Sequence, residues 1–198
     1  MSLLRIATCN LSSISPYSQG YFFSTPRPTQ VKADEHDAKH WREHAHVRQD
    51  GPDKDKIFIP AQQFKNAILD AAKYIGQKIP GKGQSTYAKH FKAGVQVMDD
   101  LVLPIKISDV EMEIVWCAAD GKPGSVSAAK VQRRFPLIRK WSGTVRYLLA
   151  DPVITQDVFH EHLVIAGSLI GMGRWRPINN GKYGKFVVDN CQITDYKP

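Results

Sequence analysis

Apolar and polar residues alternate along LLRIATCNLSSI (3–14) with few breakers, which predicts a first β-strand. From 15 to 56 the pattern dissolves. SPYSQGYFFSTPRP is turn-prone, and KADEHDAKHWREHAHVRQDGPDKDK is charged with no clear apolar face. This predicts a long excursion from the core, functional or mobile, with one short helix around 34–45. IFIP (57–60) reads as a short strand leading into AQQFKNAILDAAKYIG (61–76), where Phe64, Ile68, Ala71, Ala72 and Ile75 recur at helical spacing and Gly76 supplies a C-cap. A basic loop, IPGKGQSTYAKHF, follows. AGVQVMDDLVLPI and VEMEIVWCAA then read as strands, with ADGKPGSVSAA as a flexible joint.

WSGTVRYLLAD (141–151) has strand composition and closes at Asp151-Pro152. TQDVFHEHLVIAGSLIG (155–171) predicts a second helix, capped by Thr155 and ended by Gly171; KFVVDNCQI (185–193) is the last strand. Two helices, each between strands, with antiparallel additions, predict an α+β fold. Its expected form is a ferredoxin-like (RRM-like) antiparallel sheet with a C-terminal glycine-rich loop. The expected organisation is a single domain over 1–198, with 15–56 an extended arm or insertion.

Composition narrows the class. Of the residues, 42% are hydrophobic and 23% charged, the balance of a globular chain, and no apolar run reaches the length of a membrane span. The opening MSLLRIATCNL has no basic start, apolar block or cleavage site, so no secretion signal is read and a cytoplasmic location is expected. Cys9, Cys117 and Cys191 are odd in number and far apart, which suits three small core thiols in a reducing compartment. The net charge of +8 favours a polyanionic partner where it clusters. It clusters at KVQRRFPLIRKW (130–141) and again at 171–186.

Several motifs are weighed and set aside. GQKIPGKG (76–83) resembles a P-loop, but Gly83 stands where a magnesium-binding hydroxyl belongs, and a helix precedes it where a strand should. Lys82 remains available to a phosphate. His36, His40 and His44 would share one helix face, yet no further ligand cluster supports a metal site, and solvated residues are the better reading. His160 and His162 sit two apart and point in different directions. No nucleophile elbow, Cys–His pair or carboxylate pair appears, so neither enzyme chemistry nor a cofactor or metal is expected.

The segment GMGRWRPINNGKYGKF (171–186) holds four glycines, two arginines, two lysines and several aromatics. Basic groups beside exposed rings are what single-stranded nucleic acid binding requires. A long turn whose aromatics cover the core accounts for the same composition equally well.

A helix ending in GxGxxRP, followed by xNGxYGxF running into a strand, resembles the glycine-rich loop of the RAMP superfamily. These are CRISPR backbone, cap and RNA-processing proteins built on RRM-like ferredoxin folds. IFIPAQQFKNAILDAA resembles the first core helix of the same proteins, and the wider set SPYSQG, HWRE, FIP, PGKG and GMGRWRP resembles small phage-encoded proteins. The resemblance covers about 57–76 and 141–193. It implies a glycine-rich loop at Gly171, Gly173, Arg174, Arg176, Gly181 and Gly184, with Lys65 contacting the strand backbone. The histidine-centred site of the processing members has no match here, and backbone subunits are generally larger.

The expectation is therefore a non-catalytic binder of single-stranded RNA or DNA that coats the strand as several copies. Arg174, Arg176, Lys182 and Lys185 would contact phosphates, and Trp175 and Tyr183 would stack or brace. Lys130, Arg133, Arg134, Arg139 and Lys140 would extend the groove, and the open sheet would complete the platform. A phage-type protein-interaction or inhibitor module, and an RNA-processing endonuclease, stand as alternatives.

Overall fold

The computed structural model describes residues 4–118 and 129–196. The expected flexible joint lies almost wholly outside them. The chain divides into two compact units. The first comprises the chain up to Tyr17, Phe58–Leu103 and everything from Arg139 onward; the second comprises Ser18–Ile57 and Pro104–Ile138.

The first unit carries the sheet. Strand β1 (Arg5–Ser13) is followed, after the two-residue β2 (Tyr17–Ser18), helix α1 (Ala33–His40) and β3 (Lys56–Ile59), by helix α2 (Ala61–Ile75). Then come α3 (Ala88–Gly94), β4 (Val95–Val97), β5 (Leu101–Lys106), β6 (Glu111–Ala118), β7 (Lys130–Ile138) and β8 (Ser142–Leu149). Helix α4 (Gln156–Ile165) and β9 (Phe186–Asp195) complete the chain. The sheet order is β4-β8-β1-β9, with each neighbouring pair antiparallel. With α2 after β1 and α4 after β8, this is the βαββαβ arrangement of the ferredoxin-like fold, as the sequence predicts.

Strand alternation sorts the side chains. Ala7, Cys9 and Leu11 of β1, and Val145, Tyr147 and Leu149 of β8, are buried on one face. There Tyr147 meets Phe159 of α4 edge to face at 5.2 Å. From α2, Phe64, Ala67, Ile68, Ala71 and Ala72 are buried, the stripe anticipated from their spacing. Each large side chain so buried contributes roughly 1.5–3 kcal/mol. Gly76 takes the left-handed C-cap, with its N–H on Ala72 O. At the other end, Ala61 N–H donates to Asp100 at 2.8 Å, a cap supplied from a distant loop. Thr155 Oγ1 caps α4 as expected, accepting from Val158 N–H.

Two expectations are corrected in this unit. Cys9 and Cys191 are not separate thiols. They are direct partners in the β1–β9 register and are joined as a disulfide, while Cys117 is free. The stretch read as a basic loop also folds into α3, because Tyr87 and Phe91 pack their rings against buried His162.

The second unit corrects the picture of a loose arm. Most of 15–56 joins the antiparallel β6–β7 hairpin, whose register runs from Glu111↔Leu137 to Ala118↔Lys130. The short helix expected near 34–45 is present, but it is held by buried polar groups. Asp37 is fully buried, and its carboxylate accepts Arg134 N–H at 2.7 Å. Glu43 accepts from the backbone and hydroxyls of Ser24 and Thr25 at 2.6–2.9 Å. His36 is buried and stacks on His40 at 4.6 Å, and His44 stacks on Phe135 at 4.9 Å. The histidine row therefore serves packing and is not a solvated face. Strands β3 and β5 pair with each other.

Candidate nucleic-acid interface

Helix α4 widens into a π-turn over Ala166–Ile170 and stops at Gly171, whose N–H reaches Ala166 O at 2.8 Å. The next fifteen residues fold back on themselves. Met172 N–H donates to Gly184 O, and Tyr183 N–H to Trp175 O, both at 3.0 Å. Between these rungs a short 3-10 turn, Pro177–Asn179, reverses the chain, and Gly181 N–H closes it on Arg176 O at 3.1 Å. The base of the loop is tied to the end of β1: Gly184 N–H donates to Pro16 O at 2.7 Å, and Ile14 N–H to Lys185 O at 3.0 Å.

Two glycines permit this closure. A Cβ at Gly181 would lie 1.8 Å from Trp175 O, and one at Gly184 would lie 1.9 Å from Met172 O. These glycines bring backbone against backbone within the loop. Gly173 completes the exit from the helix as a left-handed residue.

The side chains of the loop divide into three groups. Met172, Tyr183 and Phe186 point inward and are buried. Trp175 is different. It is 44% exposed, and its backbone sits at φ 58°, a left-handed conformation that costs an L-residue roughly 1–2 kcal/mol. Arg174 places its guanidinium 5.3 Å from the Trp175 ring centre, and exposed Lys182 places its ammonium 5.5 Å from the Tyr183 ring centre. Tyr183 braces Trp175 edge to face at 6.1 Å. Arg176 turns the other way and pairs with Asp70 of α2 at 3.2 Å. Lys185 is half-buried and binds Ser15 through its main chain at 2.9 Å. The structure thus brings together Arg174, Trp175, Lys182 and Tyr183, while Arg176 anchors the loop to α2.

The more distant candidates have their own places. Lys65 donates its ammonium to three backbone carbonyls, those of Phe91, Lys92 and Val95, and so closes the C-terminus of α3. Burial lowers its pKa. In this structure the ammonium suggested for a strand backbone is occupied by these carbonyls. Lys82 is exposed in the 79–86 turn; burial would raise the pKa of Asp151, but hydrogen bonds from His90 and Val153 lower it, and the Lys82 charge adds a smaller share.

The basic run is split. Lys130, Arg133 and Arg134 lie on β7 in the second unit, and Arg139 and Lys140 lie in the first. Arg133 and Arg134 donate to the carbonyls of Ala33 and Asp34, so they hold α1 to β7. Exposed Arg139 and Lys140 follow in the connection to β8.

The open sheet face does not complete a stacking platform. Thr8, Asn10, Thr144, Asn190 and Gln192 are exposed there, with Thr144 Oγ1 donating to Asn10 at 2.8 Å. Arg146 is held by Asp99. Tyr147, the aromatic residue of β8, faces the helices. A face of small amides and hydroxyls offers hydrogen bonds but no ring for a base to stack on.

His160 is exposed and lines a cleft of about 360 Å³ with Gln156, Asp157, Asp189 and Asn190. His162 is fully buried, stacked on Phe91 at 4.5 Å, and burial lowers its pKa. Among the described residues no group of three or more His, Cys, Asp or Glu is gathered to hold a metal. Also among them, no helix is long and apolar enough to cross a membrane. Several surface aromatics escaped the sequence reading, Tyr74 and Trp116 among them. Tyr74, off the apolar stripe of α2, is 62% exposed. A large ring on the polar side of an otherwise regular amphipathic helix was the available signal.

A four-stranded antiparallel sheet backed by two helices, with a self-closed glycine-rich loop between the second helix and the last strand, defines a ferredoxin-like (RRM-like) fold. No protein-family model matches the chain, and no curated protein matches it in sequence. Among solved structures it is similar to a chain in the cryo-EM structure of the type III-B Cmr-beta complex bound to cognate target RNA. There the TM-score is 0.50 and the identity 12%, covering 97% of this chain and 61% of that one. The chain thus spans less than two thirds of that neighbour's length. It is also similar to Cmr6 from Pyrococcus furiosus, with a TM-score of 0.47 and 12% identity over 94% of this chain and 98% of that one. The first likeness is one of fold.

Proposed function

We propose that the protein binds single-stranded nucleic acid, RNA in the first place, through the loop 171–185 and without chemistry of its own. The observation that carries this reading is Trp175. A large aromatic ring is held exposed, on a left-handed backbone, beside the guanidinium of Arg174. The closure of the loop uses the main chain of Trp175, through Tyr183 N–H to Trp175 O, and leaves its ring at the surface. Stacking on a base, with cations at the flanking phosphates, gives that exposed ring a use. The RNA carried by the type III-B neighbour is consistent with RNA as the strand. A short platform of this kind covers few nucleotides, so the reading includes several copies along one strand.

The test is a salt-titrated binding series with single-stranded RNA, single-stranded DNA and duplex of equal length. It compares the wild type with Arg174→Ala/Lys182→Ala. Arg176 is left in place because it pairs with Asp70. Single strands should bind most tightly, and the double variant should flatten the salt slope by about 1.4, or roughly 0.7 per lost phosphate contact. Equal, weak binding to all three polymers, indifferent to the substitutions, would refute the proposal.

A second reading rests on a separate observation. Met112, Ile114 and Trp116 alternate along β6 and are 45%, 49% and 65% exposed, an apolar stripe of the kind protein partners cover. A specific protein partner with negligible strand binding is the result that would favour it.

A further inference from the structure

The ion pair that fixes the loop also brings a second aromatic residue into play. Asp70 and Tyr74 are one helical turn apart on α2, so their side chains leave the same face with Cβ atoms about 6 Å apart. Arg176 reaches Asp70 at 3.2 Å, and Trp175 is its chain neighbour. The bridge therefore has an exposed ring at either end: Trp175 on the loop and Tyr74 on the last turn of α2. Tyr74 is the more exposed of the two, at 62%, and its ring meets no other ring among the described residues.

The charge between the rings is also arranged. Lys73 Nζ lies 3.1 Å from Asp70 on the side away from Arg176's approach through Oδ2, so two cations surround one carboxylate. The bridge is net positive, and Arg174 and Lys182 add to it from the loop. An acidic protein surface would satisfy the charge but would leave the two exposed rings without flat partners. A single strand satisfies both, presenting phosphates to the cations and bases to the rings.

We propose that Tyr74 and Trp175 form a two-ring stacking site for nucleobases of one strand, held in register by the Asp70–Arg176 bridge. This deepens the single-strand reading above and rests on it. The strand then runs from the loop onto the end of α2, away from the open sheet face.

The experiment measures affinity for a short single-stranded RNA and for the same strand with abasic positions, using wild type, Tyr74→Leu, Tyr74→Phe and Arg174→Ala/Lys182→Ala. Tyr74 is exposed, so unfolding midpoints of its variants should match the wild type and serve as the folding control. Tyr74→Leu should weaken binding to the intact strand by between about 5-fold and 100-fold, the range of one lost stacking contact. Tyr74→Phe should retain it. On the abasic strand the Tyr74→Leu penalty should disappear. A wild-type affinity in Tyr74→Leu, with a loss in the loop double variant, would overturn the two-ring site and leave the loop as the binder. An equal Tyr74→Leu penalty on intact and abasic strands would overturn stacking as its role. No loss in any variant would remove both the site and the function it rests on.

Discussion

Gly184→Ala and Gly81→Ala form a matched pair that isolates how the loop is built. Both glycines sit at φ 73°, so both substitutions place a methyl group on a left-handed backbone, at about 1–2 kcal/mol. At Gly81 nothing lies within 4 Å of the new Cβ. Loss of unfolded-state freedom offsets part of the strain, leaving a net cost near 1 kcal/mol. At Gly184 the new Cβ would fall 1.9 Å from Met172 O and 2.6 Å from Met172 N. These are main-chain atoms and have no rotamer to escape into. The strands of the loop must separate, which breaks Met172 N–H to Gly184 O and Gly184 N–H to Pro16 O. Each buried group left unpaired costs about 1–3 kcal/mol, so the total is about 3–8 kcal/mol, a large part of a domain's stability. In urea, at roughly 2 kcal/mol per molar, Gly81→Ala should shift the midpoint by about 0.5 M and Gly184→Ala by at least about 1.5 M. Far-UV circular dichroism is a sufficient readout. Equal midpoints for the two variants would mean that Gly184 is not pressed against Met172 and that the loop closure described here is wrong.

Two other outcomes follow from charged groups in fixed positions. Burial alone would raise the Glu43 pKa, but hydrogen bonds from Thr25, Ser24 and His40 pull it from 4.5 down to about 2. Its contribution is thus complete above about pH 4.5 and is lost as pH falls toward 2. Solvent screening at this partly open site leaves about 1–2 kcal/mol. Glu43→Gln should remove that amount at neutral pH and flatten acid unfolding between pH 4.5 and 2; an unchanged acid limb would refute the assignment. Lys65→Met should destabilise the protein by about 2–4 kcal/mol, because three carbonyls at the end of α3 lose their donor. Strand affinity of the folded variant should stay at the wild-type value, and a loss of affinity without a loss of stability would restore Lys65 to the interface.

Much of the first unit was legible because its signals are local. The apolar stripe of α2, the Thr155 cap and the alternation in β1 each lie within a few residues of chain. The second unit hid because its burial is polar. Asp37 is buried on the backbone of Arg134, nearly a hundred residues away, and the histidines pack ring on ring, so no hydrophobic period marks α1. The basic run at 130–141 looked like one surface, yet Arg133 and Arg134 hold a helix of their own unit. In the loop, Trp175 and Arg174 could be picked from composition. That Arg176 answers to Asp70, and Lys65 to three carbonyls, depends on long-range geometry that a linear pattern does not contain.

The ties at the base of the loop also set when the interface can exist. Lys185 and Ser15 are 170 residues apart, and β1 completes its pairing only when β9 arrives. Contacts of such separation form late, after long stretches of chain have been closed into loops. On a ribosome, β1 must wait with one edge unpaired until β9 has emerged. A nascent or C-terminally clipped chain lacking β9 can hold α2 and its helical neighbours, yet it has no anchored ends on which to close the loop. Closure of the loop is therefore a late event that waits for β9, and the exposed Trp175 with Arg174 beside it is presented only once that strand is in place.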